Sequence, residues 1–279
     1  MSVATDFAPR PYDVHAKLNY YEPIGSEPPY QYIMEPPEGT PKHNLGYDVQ
    51  DSVIHDVRGN EKSFSLEVNG FQWAKHHSQE TEFRDDAEIR ASYYPEIESL
   101  LKKITGAKRV VCFEHRVRRD YEGMNGLETR APIRRVHIDQ TYEASVGRVH
   151  HHLGAEADRI LKNRVQIINV WRPIGKPVEH APVAVADWQT VDHSDLVPVK
   201  FFISPTREGG VFSVRHNQKH MWYYLAHQTP EEVMFIKCFD SETDGRARLT
   251  PHTAFDLDVP PGTPNRESIE VRALVLDAE

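Results

Sequence analysis

From residue 165 onward the apolar positions fall into short runs separated by Pro, Gly, Asp and Asn. "VQIINVWRPI", "APVAVADWQTV", "LVPVKFFIS", "GGVFSVRH", "HMWYYLA", "EEVMFIKCFDS" and "ESIEVRALVL" each have the length and the β-branched or aromatic content of a strand. That many strands at short spacing predict a sandwich or barrel. Helical periodicity sits before them. "DDAEIRASYYPEIESLLKKITGA" leads with acids and admits Pro95 in a first turn. Ile97, Leu100, Leu101 and Ile104 then form a stripe at helical spacing, with Lys102 and Lys103 late and Gly106 as a stop. "KRVVCFEHRVRRDY" reads as a strand, "GAEADRILKNR" as a second, shorter helix, and "SFSLEVNGFQWAKH" as a short strand followed by a turn at Asn69-Gly70. Residues 1–45, rich in Pro, Tyr and Gly, show no helical period and suggest an extended arm packed over the fold. Residues 46–279 then form one mainly β domain with helical decoration.

Composition narrows the function classes. The 279 residues carry a net charge of -9, which argues against a polyanionic partner, because phosphate contacts need a basic surface. The basic runs "HRVRRDY" and "RAPIRRVH" suit solvated strand edges equally well. No nucleic acid is therefore expected. Nor is a membrane, since no stretch approaches the ~20 apolar residues of a span. The N-terminus has no apolar signal core, so a cytoplasmic location is expected. Cys112 and Cys238, the only cysteines, each lie in an apolar run and read as buried thiols in a reducing compartment rather than a disulfide framework.

The chemistry centres on "RRVHIDQTY". A His and an Asp two apart on a strand point to the same face, with Val136 and Ile138 on the other. That is the spacing for two ligands of one ion, and a distant His would complete a two-His, one-carboxylate triad that leaves half of an Fe(II) shell free. About one H-x-D match is expected by chance in such a chain. A second indeed occurs, His193-Ser194-Asp195, but in the turn-like "TVDHSDLVP", a poor place for a rigid site. Towards the C-terminus come His252 and a final strand on which Arg266, Ser268, Glu270 and Arg272 share one face. Two arginines and a serine facing one way suit a buried carboxylate, which a guanidinium fork binds in bidentate fashion.

In this order, H-x-D, a late His and Arg-x-Ser, the chain resembles the Fe(II)/2-oxoglutarate-dependent oxygenases. "VHIDQTY", "VQIINVWRPI", "WYYLAHQTPEEVMFIKCFDS", "PHTAF" and "RESIEVRALV" more specifically resemble the fungal gibberellin desaturase/cephem 7α-methoxylase-like hydroxylases and desaturases, from about residue 60 to the end. The resemblance implies a double-stranded β-helix (a cupin-like jelly roll) and a dioxygenase that consumes O2 and 2-oxoglutarate to hydroxylate, desaturate or cyclise a small molecule of secondary metabolism. It implies His137, Asp139 and His252 as iron ligands. Arg266, with Ser268 beside it, would hold the far carboxylate of 2-oxoglutarate. The fourteen-residue step from His252 to Arg266 is longer than usual for the superfamily, so Arg272 could share or take that role.

Alternatives stand beside these readings. His216, His220 and His227 compete for third ligand, though they precede the expected strand. His150 to His152 mark a helix entry more naturally than a metal site, because consecutive side chains diverge. Asp240 suits a strand-ending turn. Asn169 and Arg172 are candidate polar contacts for substrate. Trp171 reads as core, and Trp222 as either core or substrate wall. A cupin-type dioxygenase or isomerase would need the triad without Arg266, and a non-catalytic binding protein would need neither. Monomer and homodimer are both compatible with the pattern.

Overall fold

Alternating burial in the N-terminal segment shows why it is not a free arm. The computed structural model describes residues 12–119 and 131–277, so residues 1–11 of that segment and the end of "HRVRRDY" lie outside it. The strands are β1 (Val14–Pro23), β2 (Tyr30–Tyr32), β3 (Leu45–Asp56), β4 (Phe71–Lys75), β5 (Arg109–Arg118), β6 (His137–Ile138) and β7 (Val165–Pro173). They continue as β8 (Val183–Ala186), β9 (Leu196–Ser204), β10 (Arg207–Val214), β11 (Trp222–Tyr224), β12 (Glu232–Asp240), β13 (His252–Ala254) and β14 (Ser268–Leu276). The helices are α1 (Asp86–Glu88), α2 (Tyr94–Thr105), α3 (Tyr142–Leu153) and α4 (Ala157–Ile160).

Two sheets form the double-stranded β-helix expected above. The larger runs β1-β3-β11-β8-β13-β6-β10-β9-β2, and the smaller β4-β12-β7-β14-β5. Both edges of the larger sheet come from the segment read as an arm, which is therefore woven into the fold rather than laid over it. The sheet curls, so that β1 passes across the outside of β6, where the Val136 amide donates to the Asn19 carbonyl at 2.9 Å. Leu18, Tyr20, Ile54, Val136, Ile138 and Trp222 fill that outer layer.

Period-two alternation assigns the remaining faces. Ile167, Trp171, Met234, Ile236, Leu274 and Leu276 point between the sheets. Ile168, Val170, Val271, Ala273 and Val275 point outward, against Ile97, Leu100 and Leu101 of α2. As predicted, α2 carries Pro95 in its first turn and stops at Gly106, whose φ of 74° suits a residue without Cβ.

Two local expectations need correction. The strand in "SFSLEVNGFQWAKH" follows the Asn69-Gly70 turn instead of preceding it, because Ser65 closes the turn by accepting from Asn69 and Gly70. The triple histidine is the last turn of α3, a full helix, not the entry to the short one. Thr141 caps that helix by accepting from the Ala144 amide at 3.1 Å, a signal present in "TYEA". Among the described residues no helix is long and apolar enough to cross a membrane.

Candidate metal centre

The site is assembled from strands of two or three residues in the middle of the larger sheet. His252 of β13 lies directly opposite His137 of β6 in the antiparallel register, and Val185 of β8 flanks His252 on the other side. The pleat sends Val136 and Ile138 to the outer layer and His137 and Asp139 inward. Ligand atoms of His137, Asp139 and His252 all lie within 4.8 Å of one another. The imidazole centroids are 4.4 Å apart.

Hydrogen bonding fixes each ring. The Nδ1–H of His137 donates to the Arg135 carbonyl at 2.7 Å, and that of His252 to the Thr250 carbonyl at 3.0 Å. A carbonyl only accepts, so each Nδ1 carries a proton, and each ring is held with Nε2 turned to the centre. The Thr250 hydroxyl in turn donates to the Gly70 carbonyl at 2.6 Å. Gly70, at φ 89°, has no room for more: a Cβ there would come within 2.4 Å of that hydroxyl oxygen.

Asp139 turns Oδ1 towards His137, 3.5 Å from Nε2. Oδ2 accepts from Asn169 Nδ2 at 2.5 Å and pairs with Arg272 Nη2 at 3.1 Å. Burial raises the carboxyl pKa, but Arg272 and the two histidines outweigh it and hold Asp139 well below the usual carboxylate range. Burial first, then His137, pushes His252 down to about 4, so its imidazole is neutral near pH 7. An anionic carboxylate and a neutral His252 imidazole, with the His137 ring beside them, make a donor set that suits a divalent cation.

This has a consequence for stability. His252 titrates near 4 when folded and near 6.5 when unfolded, so between those values the unfolded chain binds the extra proton. Its contribution is fully present above pH 6.5 and is lost as pH falls through the window. In chelator-treated protein the loss from pH 7 to pH 5 is expected to be about 2 kcal/mol. Urea midpoints at the two pH values, for wild type and His252→Asn, check it; equal pH slopes in both proteins would refute it.

The two candidate cosubstrate arginines differ sharply. All three nitrogens of Arg272 are engaged: Nη2 with Asp139, Nη1 with Glu114 at 3.4 Å and Nε with Glu270 at 3.1 Å. Arg266 is only 7% exposed, yet no carboxylate among the described residues pairs with it. Its Nη1 donates to the Ala181 carbonyl, its guanidinium lies 5.1 Å from the Trp171 ring centre, and its Nε has no partner. Burial, then Arg118, pushes it down to about 9. A buried cation without a counter-ion is costly, and a carboxylate would relieve that cost. Ser268 is buried between Pro173 and Arg118 in the register of the same sheet.

Other expected residues fall elsewhere. Arg172 is on the outer face of β7, where its Nη2 lies 2.6 Å from His76 Nδ1 and its guanidinium over Tyr93, so it does not line the space near the triad. Trp222 pairs in register with Ala186 on the outer face of the larger sheet, and its indole N–H donates to Tyr20 at 2.8 Å; it is core, not substrate wall. Asn169 does face the centre, as a partner of Asp139. The rival His-x-Asp sits in a short 3-10 turn where Asp195 pairs with His220 at 3.1 Å. His216 packs on Tyr20 and His227 on Tyr12. Asp240 pairs with Lys237 and Arg164.

A double-stranded β-helix gathering two imidazoles and one carboxylate is the scaffold of a mononuclear non-haem metalloenzyme. Comparison with known proteins makes the class specific. Residues 18–276 match the family described as oxidoreductase/YMDC permease-like domain. The chain is 35% identical to the hydroxylase/desaturase efuI of Hormonema carpetanum, over 94% of both chains. It is 32% identical to the Fe(II)/2-oxoglutarate-dependent dioxygenase nvfI of Aspergillus novofumigatus, over 90% of this chain and 92% of that one. The solved structure of the iron and alpha-ketoglutarate-dependent endoperoxidase NvfI superposes with a TM-score of 0.85 at 30% identity, covering 96% of this chain and 99% of that one. The chain belongs to this family of Fe(II)/2-oxoglutarate-dependent oxygenases, as its motifs implied.

Proposed function

We propose that His137, Asp139 and His252 hold the ferrous ion, that Arg266 with Ser268 holds the far carboxylate of 2-oxoglutarate, and that the substrate is a small secondary metabolite hydroxylated, desaturated or oxidatively cyclised at an unactivated carbon. The relatives, named as hydroxylase/desaturases and an endoperoxidase, support an oxidation whose outcome varies within the family. The observation that carries the cosubstrate assignment is the buried Arg266, which pairs with no carboxylate among the described residues and whose Nε has no partner. Arg272, saturated by three carboxylates, has no fork to offer.

Bound at the triad, ferrous iron with 2-oxoglutarate supplies an oxidant strong enough to break a C–H bond. The chain's own part is placement and dryness. The carbonyls of Arg135 and Thr250 hold the imidazoles in one tautomer, and Arg272 keeps Asp139 ionised. Apolar Val185, Ile236, Cys238 and Leu274 wall off water from a reactive centre. Arg266 would receive the far carboxylate of the acid and so orient it. We further propose a cytoplasmic enzyme, monomer or homodimer, consistent with two buried free thiols.

The test is an anaerobic titration of Fe(II)-loaded protein with 2-oxoglutarate, followed by admission of air. A visible charge-transfer band and then metal-dependent succinate are expected. An iron-loaded protein that shows no band and forms no succinate would overturn the assignment, leaving the cupin-type alternative.

A further inference from the structure

We infer that Asn169 and Arg272 are positioning residues for Asp139: together they occupy its outer oxygen, so that only Oδ1 is offered to the metal. This rests on the preceding reading of Asp139 as a ligand. It moves both residues out of the roles their sequence positions suggested, one as a substrate contact and the other as a cosubstrate anchor.

Strand register brings the two donors together. Asn169 of β7 and Arg272 of β14 are direct antiparallel partners. Both point between the sheets, and Asp139 reaches towards them from the opposite sheet. Its Oδ2 therefore meets a neutral amide donor at 2.5 Å and a guanidinium at 3.1 Å. Cys238 Sγ, at 3.9 Å from the same oxygen, closes a further side.

Neither donor can turn away. A carboxylate accepts and does not donate, so the Asn169 amide must present Nδ2 to it. That orientation leaves Asn169 Oδ1 buried with no partner, on a residue with 0% exposure. An orphaned buried acceptor costs about 1–3 kcal/mol, so the fold tolerates a penalty to keep this donor in place. Arg272 is held just as firmly. Its Nη1 and Nε are tied to Glu114 and Glu270, and Glu114 is itself paired with Arg116. Rotating the guanidinium off Asp139 would break both other contacts.

The consequence concerns coordination number. A carboxylate free on both oxygens can chelate a divalent ion and occupy two positions. One whose outer oxygen is committed to two strong donors binds through a single oxygen and leaves the additional position open. Removing a donor is expected to loosen metal binding and let the carboxylate shift towards chelation.

Cobalt(II) titration of the full-length protein tests this, because cobalt's visible spectrum reports coordination number without requiring turnover. Asn169→Ala and Arg272→Lys are each expected to weaken cobalt binding roughly 10- to 100-fold. Each is also expected to lower the intensity of the visible band, as added coordination does. Thermal unfolding selects variants that fold, and either one that does is decisive. Wild-type affinity and spectrum in a folded variant would refute the clamp. Failure of the wild-type protein to bind cobalt at all would instead refute the triad on which the clamp rests.

Discussion

Asp139→Asn is expected to abolish iron retention and to lower succinate formation by at least about a thousandfold. The substitution keeps the shape of the side chain and removes its charge. Two imidazoles alone are then left to hold a divalent ion in a buried site where Arg272 already supplies a positive charge. The amide also places an NH2 group where an oxygen now faces either the metal side or the donors Asn169 and Arg272. One of its two ends must meet a like partner in either orientation. Metal content after desalting, together with succinate yield, reads the effect. Stoichiometric iron with an unchanged rate would remove Asp139 from the site.

Arg266→Ala is the second large effect. It is expected to raise the KM for 2-oxoglutarate by roughly thirty- to thousandfold while leaving cobalt affinity unchanged. That corresponds to about 2–4 kcal/mol, the range for losing one member of a buried, hydrogen-bonded charge pair. The apo fold should tolerate the change, since the guanidinium has no carboxylate to leave behind among the described residues. Arg272→Lys, in contrast, is expected to act on the metal. An Arg266→Ala protein with wild-type KM would reassign the cosubstrate's far end to another residue. The two arginines thus separate by which titration they disturb.

Much of this site was legible from spacing alone. Alternation placed His137 and Asp139 on one face, and Ser268, Glu270 and Arg272 on one face of β14, because a strand's period of two is a property of the backbone; Arg266 lies just before that strand. His252 came instead from the resemblance to the family, whose order of motifs put it ahead of His216, His220 and His227. Faces could not be told apart by the same rule. Residues 166 to 172 offered two sets, and the pattern could not decide which turned inward. Asn169 proved to face the centre, while Arg172 faced Tyr93 and His76. Trp222 was ambiguous for the same reason, since both faces of β11 are buried. Helix α3 was missed because "EASVGRVHHHLG" is weakly apolar, although its Thr141 cap was readable.

The chain's own sequence therefore determined the strand-rich architecture, the main helix and its stops, and the shared face of His137 and Asp139. These depend on local periodicity and residue chemistry, which act over a few residues. Tertiary structure alone decided that β1 and β2 border the larger sheet, that His252 pairs with His137, and that Arg272 serves Asp139 while no carboxylate among the described residues pairs with Arg266. Each of those outcomes sets a donor against an acceptor, or a charge against its absence, between residues far apart in the chain. Only the closing of the two sheets brings such groups within hydrogen-bonding distance.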